Sequence, residues 1–133
     1  MADELVLIVD DNEKNLRLAR DVLRFAGFRT VEAASGREGV SLAIEHLPDV
    51  ILMDIRLPDM DGTEAARQLK DDARTARIPV VALTSLAMKG DREWFLASGF
   101  DGYLEKPISV RELPEQVRSH CRTASADFGD GAV

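Results

Sequence analysis

The sequence predicts an α/β fold, an open, doubly wound sheet of five parallel strands that alternate with five helices. Five short β-type runs recur along the chain, and three of them are almost purely apolar, as is typical of parallel strands covered on both faces. Segments of helical length and pattern separate these runs, so right-handed βα crossovers are expected. Five strands are too few to close an eight-stranded barrel, which leaves an open sheet.

The composition indicates a single globular domain. The chain has 133 residues, of which 45% are hydrophobic and 31% are charged. The formal net charge of −7 argues against a protein that binds nucleic-acid phosphates, because such proteins usually carry a basic stripe. Most of the carboxylates are therefore interpreted as a solvated acidic surface, and no direct nucleic-acid partner is expected.

Signals of cellular location point to the cytoplasm. Cys121 is the only cysteine, so no internal disulfide can form, a reducing compartment fits, and an inert thiol is expected. The first residues, MADELVLIVDD, carry neither a basic segment nor a long apolar one, so no signal peptide is predicted. No apolar run approaches the roughly 20 residues of a membrane span. We expect a cytoplasmic protein without a membrane partner.

The predicted elements alternate regularly. The strands are LVLIV (5–9), RTVEA (29–33), DVILM (49–53), PVVAL (79–83) and DGYLE (101–105). The helices span 14–26, 36–46, 63–73, 88–98 and 109–121. The first helix carries apolar residues at helical spacing, namely Leu16, Ala19, Leu23 and Ala26. These elements predict one domain over residues 1–122, followed by a small, polar and glycine-bearing tail, 123–133, that is expected to be disordered.

Glycines mark the ends of two predicted helices. Gly27 and Gly99 are each followed by a phenylalanine, Phe28 and Phe100. This pattern is typical of a glycine that ends a helix in the left-handed conformation and of an apolar residue that packs back onto the helix.

Serines mark the starts of two others. Ser35 with Glu38 and Ser109 with Glu112 fit capping boxes. Pro114 follows the second serine by about five residues, where it would remove a backbone donor. We expect the last helix to begin irregularly or to kink.

Polar residues follow the predicted strands at their carboxyl ends, the edge at which open α/β sheets bind ligands. They are Asp10 and Asp11 after the first strand, Asp54 after the third, Thr84 and Ser85 after the fourth, and Lys106 and Pro107 after the fifth. Three carboxylates, hydroxyls and an ammonium should therefore converge at one site.

Three carboxylates in one place need a counter-charge. Two of them about 5 Å apart repel by roughly 3 kcal/mol at an effective dielectric constant of about 20. A few hard oxygen ligands suit Mg²⁺, and Lys106 could receive an anion beside the metal. A carboxylate nucleophile, a divalent ion and a lysine are the parts needed for phosphoryl transfer onto an aspartate. Asp54 is the candidate nucleophile, because a buried strand would deliver it more rigidly than a loop.

Four segments together resemble a response-regulator receiver domain of the CheY-like, stand-alone type. They are VDDN (9–12), DVILMDIRLPDMDG (49–62), VVALTS (80–85) and GYLEKPIS (102–109). The likeness covers about residues 5–120. It implies a flavodoxin-like sheet with strand order 2-1-3-4-5.

The resemblance also implies roles in the acidic pocket. Asp54 would be the phosphoacceptor, Asp11 a direct Mg²⁺ ligand and Asp10 a second acidic ligand that often acts through water. The backbone carbonyl of Arg56 would complete the protein's share of the metal shell. Lys106 would pair with the phosphoryl oxygens.

Further implied roles belong to a conformational switch. The hydroxyl of Thr84 would swing toward the phosphoryl group and bind it together with Ser85 and Lys106. Tyr103 would turn inward when Thr84 moves. The bond between Lys106 and Pro107 resembles the family's cis peptide, which aims the lysine into the pocket.

The implied function is a phosphorylation-dependent switch of a two-component or phosphorelay system. A histidine kinase or a histidine phosphotransfer protein would donate the phosphoryl group. A downstream target would dock on the face of the fourth helix, fifth strand and fifth helix. Such a protein is not a turnover enzyme, although it catalyses its own aspartyl phosphorylation and dephosphorylation. Two alternatives stay open: a shuttle that passes phosphate to a histidine phosphotransfer protein, and a receiver-like scaffold without phosphotransfer.

Two other classes of site fit less well. In an EF-hand register of DMDG (59–62) the first and last ligands would be Leu57 and Gln68, so Asp59 and its neighbours are interpreted as turn and helix-entry residues. A haloacid-dehalogenase-type phosphatase needs an acidic residue two positions after its nucleophile. Asn12 and Arg56 occupy those positions here.

Weaker signals concern the surface. His46 and His120, near helix ends, are expected to be surface residues rather than phosphocarriers. Trp94 and Phe95 cannot both face the core, because adjacent helical residues point about 100° apart. One of them is expected to join an apolar patch with Leu86 or Met88.

Overall fold

The computed structural model describes residues 4–85 and 91–121 and shows five strands that alternate with five helices. The strands are β1 (Leu5–Val9), β2 (Arg29–Ala33), β3 (Val50–Asp54), β4 (Val80–Thr84) and β5 (Gly102–Glu105). The helices are α1 (Glu13–Phe25), α2 (Gly36–His46), α3 (Gly62–Asp71), α4 (Asp91–Ala97) and α5 (Leu113–His120). The predictions made for Leu86, Met88 and the tail 123–133 lie outside the described residues.

All strand pairs are parallel, and the strand order is β2-β1-β3-β4-β5. This confirms the predicted open, doubly wound, flavodoxin-like sheet. The chain steps outward from β1 to β2 and then returns to place β3 on the other side of β1. Loops that leave β1 and β3 therefore diverge to opposite faces, which opens a crevice at their carboxyl ends.

Each face of the sheet carries its own apolar core. In β3, Ile51 and Met53 belong to one cluster, which packs against α2, α3 and α4, while Val50 and Leu52 belong to the other, which packs against α1 and α5. Since successive strand residues point to opposite faces, a strand covered on both sides must be apolar throughout. This is the physical reason for the uninterrupted apolar runs of β3 and β4.

The two predicted glycine helix ends are confirmed. Gly27 and Gly99 both have φ +100°, a conformation that costs glycine little. The amide of Phe28 donates to the Leu23 carbonyl at 3.0 Å, and that of Phe100 donates to the Phe95 carbonyl at 3.1 Å. Both phenylalanine rings are buried in the cores that these helices cover.

The predicted start of the last helix is wrong by four residues. The Oγ of Ser109 accepts from the Glu112 amide at 3.2 Å, but it caps a turn that leads directly into α5, and the helix itself begins at Leu113. Pro114 consequently lies in the first helical turn, where its missing N–H would have had no intrahelical partner. The expected irregular start is thus observed. Its cause is that a proline fits in the first turn of a helix but not further along it.

The predicted bounds of β3 and β4 shift by one residue. Both strands end one residue later than expected, so Asp54 and Thr84 are themselves the last strand residues. In the sheet Asp54 pairs with Leu83, and Thr84 pairs with Glu105. Their positions are therefore set by ladder hydrogen bonds rather than by a loop.

The two histidines end α2 and α5, as predicted, and His46 is exposed, with 39% of its side chain accessible. His120 is half-buried, and its Nδ1 lies 2.9 Å from the Gln116 carbonyl oxygen. Its ring covers Gly102, where a Cβ would come within 2.5 Å of Nε2. His120 is thus a partly exposed surface residue, and the small Gly102 leaves room for its ring.

Within residues 4–85 and 91–121, no helix has the length and apolar character needed to cross a membrane.

Candidate functional site

Three carboxylates meet at the carboxyl ends of β1 and β3. One oxygen from each of Asp10, Asp11 and Asp54 lies within 4.8 Å of the others. Asp10 is 1% exposed and Asp54 is 8% exposed, whereas Asp11 faces solvent. The amide of Asp10 donates to the Ala33 carbonyl at 3.0 Å, which holds the chain in line as it leaves β1. The sheet itself therefore brings the predicted cluster together.

Lys106 reaches this cluster from the end of β5. Its Nζ lies 3.0 Å from Oδ2 of Asp54 and 3.0 Å from Oδ2 of Asp10. The amide of Lys106 donates to the Thr84 carbonyl at 2.8 Å, and the bond between Lys106 and Pro107 is cis, as the resemblance implies. The ammonium thus points into the pocket and bridges carboxylates from two strands.

The electrostatics of Asp54 reflect its burial. Desolvation raises the pKa of its carboxyl, and the nearby negative charge of Asp10 adds to this rise. Hydrogen bonds from Lys106 and from the Arg56 amide, at 3.0 Å and 3.2 Å, oppose the shift without cancelling it. For Lys106, burial works against the charged form, but the two carboxylates outweigh it and raise the pKa of the ammonium. The lysine is therefore a permanent positive charge at neutral pH.

Asp10 provides a test of whether the pocket suits a metal. Its Oδ1 accepts from the Asn12 amide at 2.9 Å. Its Oδ2 is buried and makes no directed hydrogen bond among the described residues, although the Lys106 ammonium is near. Three carboxylates against one ammonium also leave negative charge uncompensated. A buried carboxylate oxygen without a well-directed donor, and an excess of negative charge among the described residues, both fit a divalent cation with oxygen ligands.

A small cavity opens beside the cluster. It has a volume of about 50 Å³ and is lined by Asp54, Ile55, Arg56, Thr84, Ser85 and Lys106. Thr84 is only 6% exposed and Ser85 faces solvent. The structure therefore brings the predicted hydroxyls, the lysine and the candidate nucleophile to one cavity.

The loop that follows β3 closes tightly on itself. The amide of Gly62 donates to the Ile55 carbonyl at 2.7 Å, and Arg56 and Asp61 form an isolated antiparallel bridge. A Cβ at position 62 would collide with the backbone carbonyl oxygen of Asp54. Gly62 is thus required for the close approach of α3 to the end of β3, and this approach carries Arg56 to the edge of the cavity.

Asp59, in the same loop, has a structural role that the sequence interpretation missed. Its two carboxylate oxygens accept from the amides of Gly36 and Arg37, each at 2.8 Å. These bonds lower the pKa of Asp59. The interpretation as a simple turn residue is therefore incomplete. No local pattern could have revealed the contact, because the partners are 22 and 23 positions apart in the chain.

A separate surface is formed by α4 and β5. Phe95 is buried and Trp94 is 50% exposed, which confirms that the two do not share one face. The ring of Tyr103 stacks on Phe95 with centroids 5.1 Å apart. A second cavity of about 250 Å³ lies here, lined by Phe95, Leu96, Asp101, Gly102, Tyr103 and His120.

Comparison with known proteins shows a family match over most of the chain. The family model described as "Response regulator receiver domain" matches residues 6–118. The chain is 47% identical over 115 residues to the polar-differentiation response regulator DivK of Brucella ovis, a match that covers 86% of this chain and 94% of that protein.

Solved structures of the same family are also similar to this chain. One is the receiver domain of the sensor histidine kinase PA1611 from Pseudomonas aeruginosa, described with a magnesium ion coordinated in the active site cleft. It shares 37% identity over 90% of this chain and 98% of that chain, with a TM-score of 0.81. Another is the chemotaxis protein CheY4 of Vibrio cholerae, with 28% identity, coverage of 90% and 99%, and a TM-score of 0.83.

Proposed function

The chain belongs to the response regulator receiver domain family, and from this membership we propose that Asp54 accepts a phosphoryl group and thereby switches the protein between two states. Receiver domains act in two-component signalling and bind Mg²⁺ at an acidic pocket. The observation that carries the proposal is the convergence of Asp54, Asp10 and Asp11 within 4.8 Å, with Lys106 3.0 Å from two of them.

The proposed step is transfer from a phosphohistidine of a histidine kinase or phosphotransfer protein. A carboxylate oxygen of Asp54 forms the new P–O bond, the P–N bond to the donor imidazole breaks, and the imidazole leaves with the bonding electron pair and takes up a proton. Because Lys106 already contacts the Asp54 carboxylate, its ammonium can follow the charge onto the phosphoryl oxygens.

Asp10, Asp11 and Asp54 would hold Mg²⁺, together with the backbone carbonyl of Arg56. When bound, the cation would offset the charge of the carboxylates and of the incoming phosphoryl group. The excess of negative charge around buried Asp10 supports this assignment, because the Lys106 ammonium at 3.0 Å from Oδ2 makes no well-directed hydrogen bond to it and is shared with Asp54.

The switch would start at the cavity beside Asp54. The phosphoryl group adds up to about −2 charge there, and Thr84 and Ser85 supply hydroxyls at its wall. A contact that Thr84 makes in only one conformation biases the equilibrium toward that conformation. Tyr103, half-buried against Phe95, is the proposed aromatic partner of this movement.

The downstream target would dock on the face of α4, β5 and α5. Trp94 and Leu96 are exposed there, and a cavity of about 250 Å³ separates α4 from the end of α5. Such a surface offers apolar anchors beside a pocket, the usual anatomy of an interface centre. The proposed output is therefore a protein contact in the cytoplasm.

Labelling with acetyl phosphate and Mg²⁺ tests the proposal. We expect the wild type to gain one phosphoryl group by intact mass, in a hydroxylamine-sensitive linkage. Asp54→Asn should remove the label. Asp61→Asn is the matched control, because the Asp61 side chain makes no capping hydrogen bond and the residue is exposed.

Label retained in Asp54→Asn would move the acceptor elsewhere, and an unlabelled wild type would favour the scaffold alternative. Incubation of the phosphorylated protein with histidine phosphotransfer proteins separates shuttle from switch. Rapid return of the phosphoryl group to a histidine would favour the shuttle.

A further inference from the structure

The loop after β3 is fastened to the N-terminus of α2. Asp59, five residues after Asp54, uses both carboxylate oxygens to accept from the amides of Gly36 and Arg37, at 2.8 Å each. Amides in the first turn of a helix have no partner within the helix. The loop therefore supplies acceptors to an element that precedes it by more than twenty residues.

Met60 adds an apolar contact at the same place. A Cβ at position 36 would come within 2.5 Å of Met60 Cγ and 2.9 Å of its Sδ, so Gly36 leaves the space in which Met60 lies. Met60 also packs against the core cluster that lies beneath α2 and α3. Asp59 and Met60 thus attach the loop to α2, Asp59 by hydrogen bonds and Met60 by apolar packing.

The helix does not need Asp59 for its own cap. Ser35 is the N-cap of α2, and its Oγ accepts from the Glu38 amide at 3.2 Å. The Glu38 carboxylate in turn accepts from the Ala34 amide at 2.9 Å. Since α2 already has local side-chain caps and water could solvate the remaining amides, the main effect of the Asp59 contacts falls on the loop.

The other side of this loop touches the phosphoacceptor. The Arg56 amide donates to Asp54 Oδ1 at 3.2 Å, and Arg56 is bridged to Asp61. Between the end of β3 and the start of α3, residues 55–61 form no helix or strand beyond the Arg56–Asp61 bridge, so their position depends on contacts such as those of Asp59. A shift at Asp59 would therefore reach Arg56 and the carboxylate of Asp54.

We propose that Asp59 is a positioning residue for phosphorylation: by tying the β3–α3 loop to α2, it holds Arg56 and the Asp54 carboxylate in place for the cation and the phosphodonor. The inference rests on the proposed function. Groups that orient a site without touching the substrate commonly change metal affinity or activity by about tenfold or more when they are removed.

The test compares Asp59→Ala, Asp59→Asn and Asp101→Asn with the wild type. Asp101 is the matched control, because its carboxylate also accepts from a distant backbone amide, that of Val80 at 2.7 Å, at the opposite end of the sheet. We would measure Mg²⁺ affinity by calorimetry and acetyl-phosphate labelling at low and saturating Mg²⁺, at a temperature where circular dichroism shows every variant folded.

We expect Asp59→Ala to weaken Mg²⁺ binding and to slow labelling by about tenfold each. Asp59→Asn keeps one carbonyl acceptor and should fall between Asp59→Ala and the wild type. Asp101→Asn should keep wild-type Mg²⁺ affinity even where it lowers stability. If Asp59→Ala does not fold, the inference is tested by comparing Asp59→Asn with the wild type and with Asp101→Asn.

Wild-type affinity and labelling in the Asp59 variants would overturn the inference, as would an equal loss in Asp101→Asn. Those outcomes leave the role of Asp54 intact. Failure of the proposed function looks different, since the wild type would then remain unlabelled or Asp54→Asn would still be labelled.

Discussion

At the scale of single residues, Asp54 shows how a buried strand can end in a charge. Its neighbours from Val50 to Met53 are fully buried, and burial alone raises the pKa of its carboxyl. A carboxyl whose folded pKa lies above its unfolded value weakens the fold at neutral pH, because ionisation then costs more in the folded state. Lys106 offsets part of this cost at 3.0 Å. The destabilised charge is what makes the position ready to receive a cation.

Cys121 offers a prediction about pH at the same scale. Its thiol is buried, and desolvation raises its pKa from 9.0 to about 12. The folded protein therefore holds about a thousandfold less thiolate than an unfolded chain at the same pH. We expect Ellman's reagent to react with the native protein at pH 8 at least about a hundredfold more slowly than with the urea-unfolded chain.

The free energy of unfolding should also depend on pH through the ionisation of the Cys121 thiol. Because the folded pKa lies above the unfolded value, the contribution of the neutral thiol is complete below pH 9 and is lost as the pH rises from 9 toward 12. Cys121→Ala removes this ionisation and serves as the control in urea unfolding between pH 7 and 11. A native labelling rate equal to that of the unfolded chain would contradict the buried placement.

At the scale of elements, Gly99 and Gly62 are required for different reasons. Gly99 adopts a backbone conformation that strains other residues, and Gly62 lies where a side chain would collide with the backbone. Gly99 has φ +100°, and among the described residues a Cβ there would meet only Lys70 Cγ, at 4.0 Å. Gly99→Ala should therefore cost about 1–2 kcal/mol of backbone strain. Gly62→Ala would instead drive a Cβ into the Asp54 carbonyl oxygen, which must force backbone apart. We expect it to cost about 3 kcal/mol or more in urea unfolding.

The two variants should also differ in activity. Gly62→Ala should slow labelling with acetyl phosphate even where the protein is folded, because the collision displaces the end of β3 itself. Gly99→Ala lies at the end of α4 and should leave labelling unchanged. Equal stability losses, or unchanged labelling in Gly62→Ala, would argue against the close approach seen between α3 and β3.

Most element positions could be predicted from local pattern. Helix ends at Gly27 and Gly99 depend on a conformation that few other residues adopt, so the sequence signal was specific. The start of α5 had no such specific signal, because Ser109 and Pro114 are each compatible with the first turn of a helix. Packing of Leu113 into the core beneath α1 and α5 accompanies the later start.

At the scale of the whole molecule, the acidic site links the sheet's two sides. Asp10 and Asp11 follow β1 and Asp54 ends β3, so a cation held by these carboxylates would hold together two strands that separate on unfolding. A ligand that binds only the folded state stabilises it by mass action. We expect Mg²⁺ at about a hundred times its dissociation constant to raise the free energy of unfolding by about 3 kcal/mol.

Asp11→Asn tests that linkage directly. Asp11 is exposed, so the substitution should leave the metal-free fold intact while it weakens both Mg²⁺ binding and phosphorylation. The neighbouring Glu13→Gln, also exposed, is the matched control and should keep the full Mg²⁺ effect in thermal unfolding. An unchanged Mg²⁺ affinity in Asp11→Asn would remove that residue from the ligand set.

The alternation of strands and helices, and the polar residues at the strand ends, could be predicted from the sequence, because both follow from periodicity and chain order. Its motifs also sufficed for the family, over residues 6–118. Three features depend on the packed fold: which oxygens face one another, the bridge that Lys106 forms between two carboxylates, and the hydrogen bonds of Asp59 to α2. Such contacts join residues that are far apart in the chain, and their distances depend on how the sheet and helices pack.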